Sequence, residues 1–70
     1  MNKLEQKLST AGFQFEKEQE FLYYPKTVWV KKYSRLNENG STSTVIIHRE
    51  EIITSNNVSK KELKELRGGT

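Results

Sequence analysis

Apolar residues near the start of the chain recur with the spacing of a helix. Leu4 and Leu8 stand one turn apart, which places both side chains on one side of a helix. Asn2 can cap the first turn, and Gly12 can adopt the left-handed conformation that ends a helix. The pattern therefore predicts a helix over residues 3–11.

Polar and apolar residues then alternate, which is typical of strands with one buried face. The alternation predicts strands near residues 13–23, 28–37 and 42–50, joined by turns at 24–27 and 37–40. Because alternation and turn residues follow each other directly along the chain, we expect an antiparallel meander.

A four-residue loop at 24–27 sets the register of the first two predicted strands. Phe21 then faces Val30 on one side of the sheet, and Glu20 faces Lys31 on the other. Apolar pairs and ion pairs thus select the same register. The remaining predicted pairs are Tyr23 with Val28, Phe15 with Leu36, Glu16 with Arg35 and Leu22 with Trp29.

The second loop decides which side of the sheet the third strand shares with its neighbour. A loop of two or four residues places Val45 and Ile47 on the side of Val30, and we reject a three-residue loop, which would not. The interpretation of residues 49–53 stays open between strand and helical turn. Residues 54–57 are predicted to form a loop.

A second, short helix is predicted over residues 60–67. Ser59 and Glu62 have capping-box spacing, and Val58 with Leu63 can form a hydrophobic staple around the cap. A helix this short needs packing on the sheet to be stable.

These elements predict an α+β fold in the order α-β-β-β-α, with both helices on one face of a three-stranded antiparallel sheet. A single domain would span residues 1–67, followed by a loose tail over 68–70. The predicted core residues are Leu4, Leu8, Phe13, Phe15, Phe21, Val28, Val30, Val45, Ile47, Leu63 and Leu66.

Composition argues against catalysis. The 70 residues contain no cysteine, no aspartate and one histidine, His48. Thiolate chemistry, a Ser-His-Asp relay and sulfur-based zinc sites are therefore excluded. We expect no enzyme activity, no cofactor and no metal site.

Charge and hydropathy bear on location and partners. The net charge is +3, which is compatible with nucleic acid but does not demand it. The longest apolar runs are much shorter than a membrane span, and the first residues lack an apolar signal-peptide core. We expect a cytoplasmic protein that does not enter membranes.

The predicted fold leaves one sheet face uncovered, and aromatic and arginine residues on it are typical of interface anchors. The first hypothesis is therefore a non-enzymatic protein-binding module of accessory or inhibitor type. Short chains rich in lysine and glutamate resemble small accessory proteins of phages and mobile elements. The candidate protein-binding residues are Leu22, Trp29, Lys31, Tyr33, Arg35, Ile46 and His48.

The same face predicts a homodimer. A small core gains stability if a second copy covers exposed apolar residues, and a two-fold dimer is the commonest arrangement. We expect such a dimer to be centred on Trp29.

The alternative hypothesis is nucleic-acid binding. The run from Ser59 to Lys64 opens the last predicted helix of an α-β-β-β-α chain, and it resembles the lysine cluster of double-stranded-RNA-binding domains. The resemblance implies that Lys60, Lys61 and Lys64 contact phosphates. Tyr23-Tyr24-Pro25-Lys26 stands where that family has a glycine-proline-histidine loop.

Overall fold

The chain forms one helix, then a four-stranded antiparallel meander, then a second helix. The computed structural model describes residues 3–68, so the predicted cap Asn2 and tail residues 69–70 lie outside the described residues. The strands lie side by side in chain order. The elements are α1 (Lys3–Thr10), β1 (Gln14–Tyr23), β2 (Lys26–Leu36), β3 (Thr42–His48), β4 (Glu51–Asn56) and α2 (Lys60–Leu66).

Both helices end one residue earlier than predicted, and the predicted signals at the end of α1 and at the start of α2 are present. Gly12 has φ +94°, and the amide of Phe13 donates to the carbonyl of Leu8 at 2.9 Å, which closes α1. At α2, the hydroxyl of Ser59 accepts from the amide of Glu62 at 3.1 Å. The predicted α+β class is confirmed, and so is the placement of both helices on one face of the sheet.

The strand count is four, not three. Residues 49 and 50 form a two-residue turn, with Arg49 at φ +59°, and β4 then pairs with β3. A bulge near Ile53 adjusts the register. The predicted loop over residues 54–57 is wrong for residues 54–56, whose polar side chains are typical of loops but whose backbone pairs with β3, and it is right for Asn57, which follows β4.

The predicted β1–β2 register is wrong by two residues. The loop has two residues, Tyr24 and Pro25, instead of four, so Phe21 faces Val28. Farther along, the register shifts again between Phe15 and Lys17, and this bulge turns Phe15 to the other side of the sheet. Phe15 therefore faces Tyr33, with the two ring centroids 5.7 Å apart.

The β2–β3 loop has five residues, 37–41, and its odd number reverses the predicted faces. Val45 lies opposite Tyr33, on the side that the sequence argument had rejected. Side-chain bonds stabilise this longer loop: the amide nitrogen of Asn37 donates to the hydroxyls of Ser41 at 3.1 Å and Ser43 at 2.8 Å. Alternation alone does not report such bonds.

The sheet consequently has a helix face, against which α1 and α2 pack, and an open face on the other side. Predicted core residues Phe21, Val28 and Val30 lie on the open face, where Val30 is nevertheless buried, as predicted, at 1% exposed, and Phe15 is half exposed. Tyr33 and Ile52 join the core instead. The core on the helix face consists of Leu4, Leu8, Phe13, Tyr33, Val45, Ile47, Ile52 and Leu66, with Ala11, Val58 and Leu63 packed against it.

Candidate functional site

The β1–β2 hairpin extends beyond the rest of the sheet. The part of β2 from Lys26 to Val30 pairs with β1 but not with β3, whose pairing with β2 ends at Lys31. In this extension Leu22 and Trp29 lie on the helix face, because Leu22 pairs with Thr27 and side chains alternate along each strand. They are diagonal neighbours across the two strands.

Leu22 and Trp29, which we name the hairpin patch, are largely exposed. The exposed fraction is 69% for Leu22 and 64% for Trp29, and Tyr24 at the turn reaches 88%. Exposed apolar side chains that lie together on a small protein mark contact surfaces more often than single ones do.

Two carboxylates lie beside the hairpin patch on the same face of β1. Glu18 faces Lys31 across the strands, and Glu20 faces Trp29. The ammonium of Lys31 turns away to the carboxylate of Glu5, at 3.2 Å. Within residues 3–68 neither Glu18 nor Glu20 forms an ion pair, so this part of β1 is locally acidic.

Three of the predicted binding residues, Lys31, Tyr33 and Arg35, contact side chains of the helices. The prediction that they share an uncovered face is wrong. Tyr33 is 7% exposed, and its hydroxyl donates to the carboxylate of Glu5 at 2.6 Å. Burial and this hydrogen bond raise the pKa of Tyr33 to about 12. The same hydrogen bond, helped by Lys31, lowers the pKa of Glu5.

Arg35 connects the sheet to both helices. Its guanidinium donates twice to the carboxylate of Glu62, at 2.6 and 2.9 Å, and once to the carbonyl of Ala11, at 3.0 Å. It also lies 4.4 Å above the ring of Phe13 and donates to Asn37. The bonds to Glu62 raise the pKa of Arg35 and lower that of Glu62. Arg35 is thus occupied within the fold.

Ile46 and His48 lie on the open face, away from the other predicted binding residues. Ile46 is buried although neither α1 nor α2 packs on this side. The ring of His48 meets the ring of Tyr23 edge-on, with centroids 5.9 Å apart. The odd number of residues in the β2–β3 loop causes this separation. It places Val45 and Ile47 on the side of Arg35, so that Ile46 and His48 lie on the opposite side.

The structure therefore divides the predicted set of seven residues. Only Leu22 and Trp29 stay together and exposed. Sequence reasoning expected Glu18 and Glu20 at the edge of this face, but in a different register with β2, and it missed Tyr24. A two-residue turn at Tyr24 and Pro25 was the signal that could have placed Tyr24, and it brings Glu20, rather than Leu22, opposite Trp29.

The three lysines of the alternative hypothesis are all exposed at the start of α2 and one turn later. The order of elements, however, contains a fourth strand, so it departs from the α-β-β-β-α order on which the resemblance partly rested. Exposure of Lys60, Lys61 and Lys64 is the observation that remains.

Two further features of the described chain concern metals and membranes. Between residues 3 and 68, no three histidine or glutamate side chains are grouped so that they could hold a metal ion. Neither α1 nor α2 has the length and apolar character of a membrane-spanning helix.

Comparison with models of protein families, with curated proteins and with solved structures finds no match to this chain.

Proposed function

We propose that the protein is a non-enzymatic binding module that contacts another protein through the hairpin patch. The observation that carries this proposal is the exposure of Leu22 and Trp29 on a two-stranded extension. Tryptophan is among the residues that contribute most when buried at an interface, and leucine beside it supplies further apolar area. A module of this kind acts as an accessory protein or an inhibitor by occupying its partner.

The fold does not need the hairpin patch for its own core. The buried cluster on the helix face is formed by α1, α2 and the strands beneath them, and it includes neither Leu22 nor Trp29. Apolar side chains that do not contribute to the core are available for a partner, which supports a binding role.

Site-specific photo-crosslinking tests the proposal. An aromatic photoreactive amino acid, which keeps a ring in the hairpin patch, replaces Trp29 in one variant and Leu36 in a control, and both are expressed in the protein's native cells. Leu36 is a matched position, since it is an exposed apolar residue near the other end of the same strand. We expect a distinct protein adduct from position 29 and none from position 36. Equal adducts from both positions, or none from either, would contradict the proposal.

A second copy of the chain is one partner to consider, and the predicted homodimer centred on Trp29 stays a prediction. Sedimentation equilibrium of the wild type and of Trp29→Ala over a range of concentrations tests it. A dimer that dissociates in Trp29→Ala supports self-association through the hairpin patch. A wild type that stays monomeric at high micromolar concentration leaves the hairpin patch to a different protein.

Nucleic-acid binding through Lys60, Lys61 and Lys64 is the second candidate function, favoured by the exposure of all three. The test is fluorescence anisotropy with a double-stranded RNA of about 16 base pairs, the length that such domains span. Binding by these lysines would weaken steeply between low and moderate salt and would be lost in the triple alanine variant. An affinity for RNA that is unchanged in the triple alanine variant would show that these three lysines do not bind it.

A further inference from the structure

The strand that carries Leu22 is also an edge of the sheet. β1 has ten residues and pairs with β2 on one side, while no strand within residues 3–68 pairs with its other side. Alternate backbone N–H and C=O groups of an edge strand point outwards, where a strand from another molecule can bond them. A partner that reaches the hairpin patch from this side therefore meets free backbone groups first.

Charge along this edge is uneven between the two faces. On the helix face, Glu18 and Glu20 are exposed and lack ion pairs within the described chain. Lys31, which could neutralise Glu18 across the strands, is bound to Glu5. An added strand would place every second side chain on this face, next to Glu18, Glu20 and Leu22 in turn.

We propose that β1 binds an extended segment of a partner protein by strand addition, and that this segment presents lysine or arginine beside Glu18 and Glu20 and an apolar residue beside Leu22. The inference rests on the proposed protein-binding function and specifies the chemistry of the partner. In antiparallel orientation the segment reads apolar-x-basic-x-basic. Backbone bonds to the edge supply affinity, and the alternate side chains supply specificity.

Charge argues against a second copy as the occupant of this edge. β1 itself carries Glu16, Glu18 and Glu20 against a single Lys17, so two copies of the strand side by side would bring mainly carboxylates together. The same charges discourage unspecific pairing of the edge. The charges of a segment with basic side chains complement the carboxylates of β1, whereas the charges of a second β1 strand do not.

Selection from a random peptide library displayed on phage tests the proposal, with the full chain as bait. We expect the enriched peptides to alternate and to carry two basic residues and one apolar residue at every second position. Synthetic copies of the enriched peptides then provide the probes for binding measurements and for mapping by backbone amide chemical shifts. We expect shifts concentrated along β1, and shifts concentrated along β4 would contradict the proposal.

A charge-reversed variant, Glu18→Lys/Glu20→Lys, provides the sharper comparison. The matched control is Glu38→Lys/Glu50→Lys, which changes the net charge equally at two exposed turn positions. We expect the enriched peptides to bind the first variant about tenfold more weakly, because two attractive pairs become repulsive, and to bind the control as they bind the wild type. When the charge-reversed variant is used as bait, the selected peptides should instead carry acidic residues at these two positions. Thermal unfolding and circular dichroism confirm that each variant is folded.

Failure of this inference differs from failure of the proposed function. One outcome is that the peptides bind Trp29→Ala more weakly but bind the charge-reversed variant as they bind the wild type. This would overturn strand addition beside Glu18 and Glu20, while the hairpin patch would remain a binding surface. Peptides that ignore both changes, or a library that yields no binders, would overturn the inference, and photo-crosslinking from position 29 would then decide the proposed function separately.

Discussion

The two halves of β2 each place an aromatic residue on the helix face, Trp29 in one half and Tyr33 in the other, but in different environments. In the half from Lys31 to Arg35, each polar side chain on the helix face has a defined partner: Glu5 for Lys31 and Tyr33, and Glu62 for Arg35. In the half from Lys26 to Val30, Trp29 lies on the same face and is mostly exposed. Residue type therefore does not decide which half is covered.

Element length explains the difference. α1 has eight residues and is about 12 Å long at 1.5 Å per residue, whereas β2 has eleven residues and is about 37 Å long at 3.4 Å per residue. A short helix can cover only part of such a strand. The covered part became the core and the uncovered part became the candidate binding surface.

The largest expected effect lies in the core beside the covered half of β2, at Ile47 on β3, which pairs with Lys31. Ile47 is 1% exposed and packs in the helix-face core, so Ile47→Ala should lower the free energy of unfolding by about 3 kcal/mol. Leu36→Ala is the control, because Leu36 is mostly exposed on a neighbouring strand and should change stability little. Urea denaturation followed by circular dichroism measures both. A loss below about 1 kcal/mol for Ile47→Ala would contradict the assignment of the helix face.

The next effect concerns the polar connection between sheet and helices. Arg35→Ala removes the bonds to Glu62 and Ala11 together with the contact over Phe13, and we expect a loss of about 2 kcal/mol. Arg35→Lys should restore little of this, since an ammonium cannot donate to both carboxylate oxygens in the same plane. Comparison with Glu62→Gln in a double-mutant cycle isolates the pair. Full recovery by lysine would show that charge alone stabilises this contact.

Acid should weaken the contacts that the helices make with the covered half of β2. The pKa of Glu62 is below its usual value of 4.5 because Arg35 donates to the carboxylate, and the pKa of Glu5 is lowered chiefly by the hydrogen bond from Tyr33. A lowered folded-state pKa adds stability above the unfolded value and loses it as pH falls through the folded value. We expect stability to decline below pH 4.5. Urea unfolding at successive pH values measures this, and the free energy of unfolding should fall less steeply with decreasing pH in Glu62→Gln than in the wild type.

Sequence patterns predicted the helices, the first three strands and much of the helix-face core, because these depend on local spacing and caps. Leu8, Ile47 and Leu66 are in the core as predicted. The prediction failed where one residue decides the face. The bulge before Lys17 and the five-residue loop each reverse the alternation, and side-chain bonds such as those of Asn37 determine the loop.

The candidate surface was predicted only in part for the same reason. Leu22 and Trp29 are correctly expected to be exposed, because the hairpin end keeps its faces when the register shifts by two residues. Arg35 lies on the same side of the sheet as Trp29, as predicted, but this side was wrongly expected to be uncovered because the helices were expected on the side of Val30. Its partner Glu62 lies 27 residues away in the chain, and no local pattern indicates such a contact.

The smallest effect on stability is expected at Trp29, and this is what makes the residue informative. Its side chain is mostly exposed, it faces Glu20 rather than an apolar partner, and it does not belong to the core. Trp29→Ala should therefore change the free energy of unfolding by about 0.5 kcal/mol or less. A tryptophan that contributes little to the fold but is needed for partner contact separates binding from stability, since the same variant should lose the partner and keep its unfolding curve. Chemical denaturation of the isolated chain, followed by far-ultraviolet circular dichroism, gives the comparison. A loss near that of Ile47→Ala would mean that the hairpin end belongs to the core, and it would remove the main support for a binding surface there.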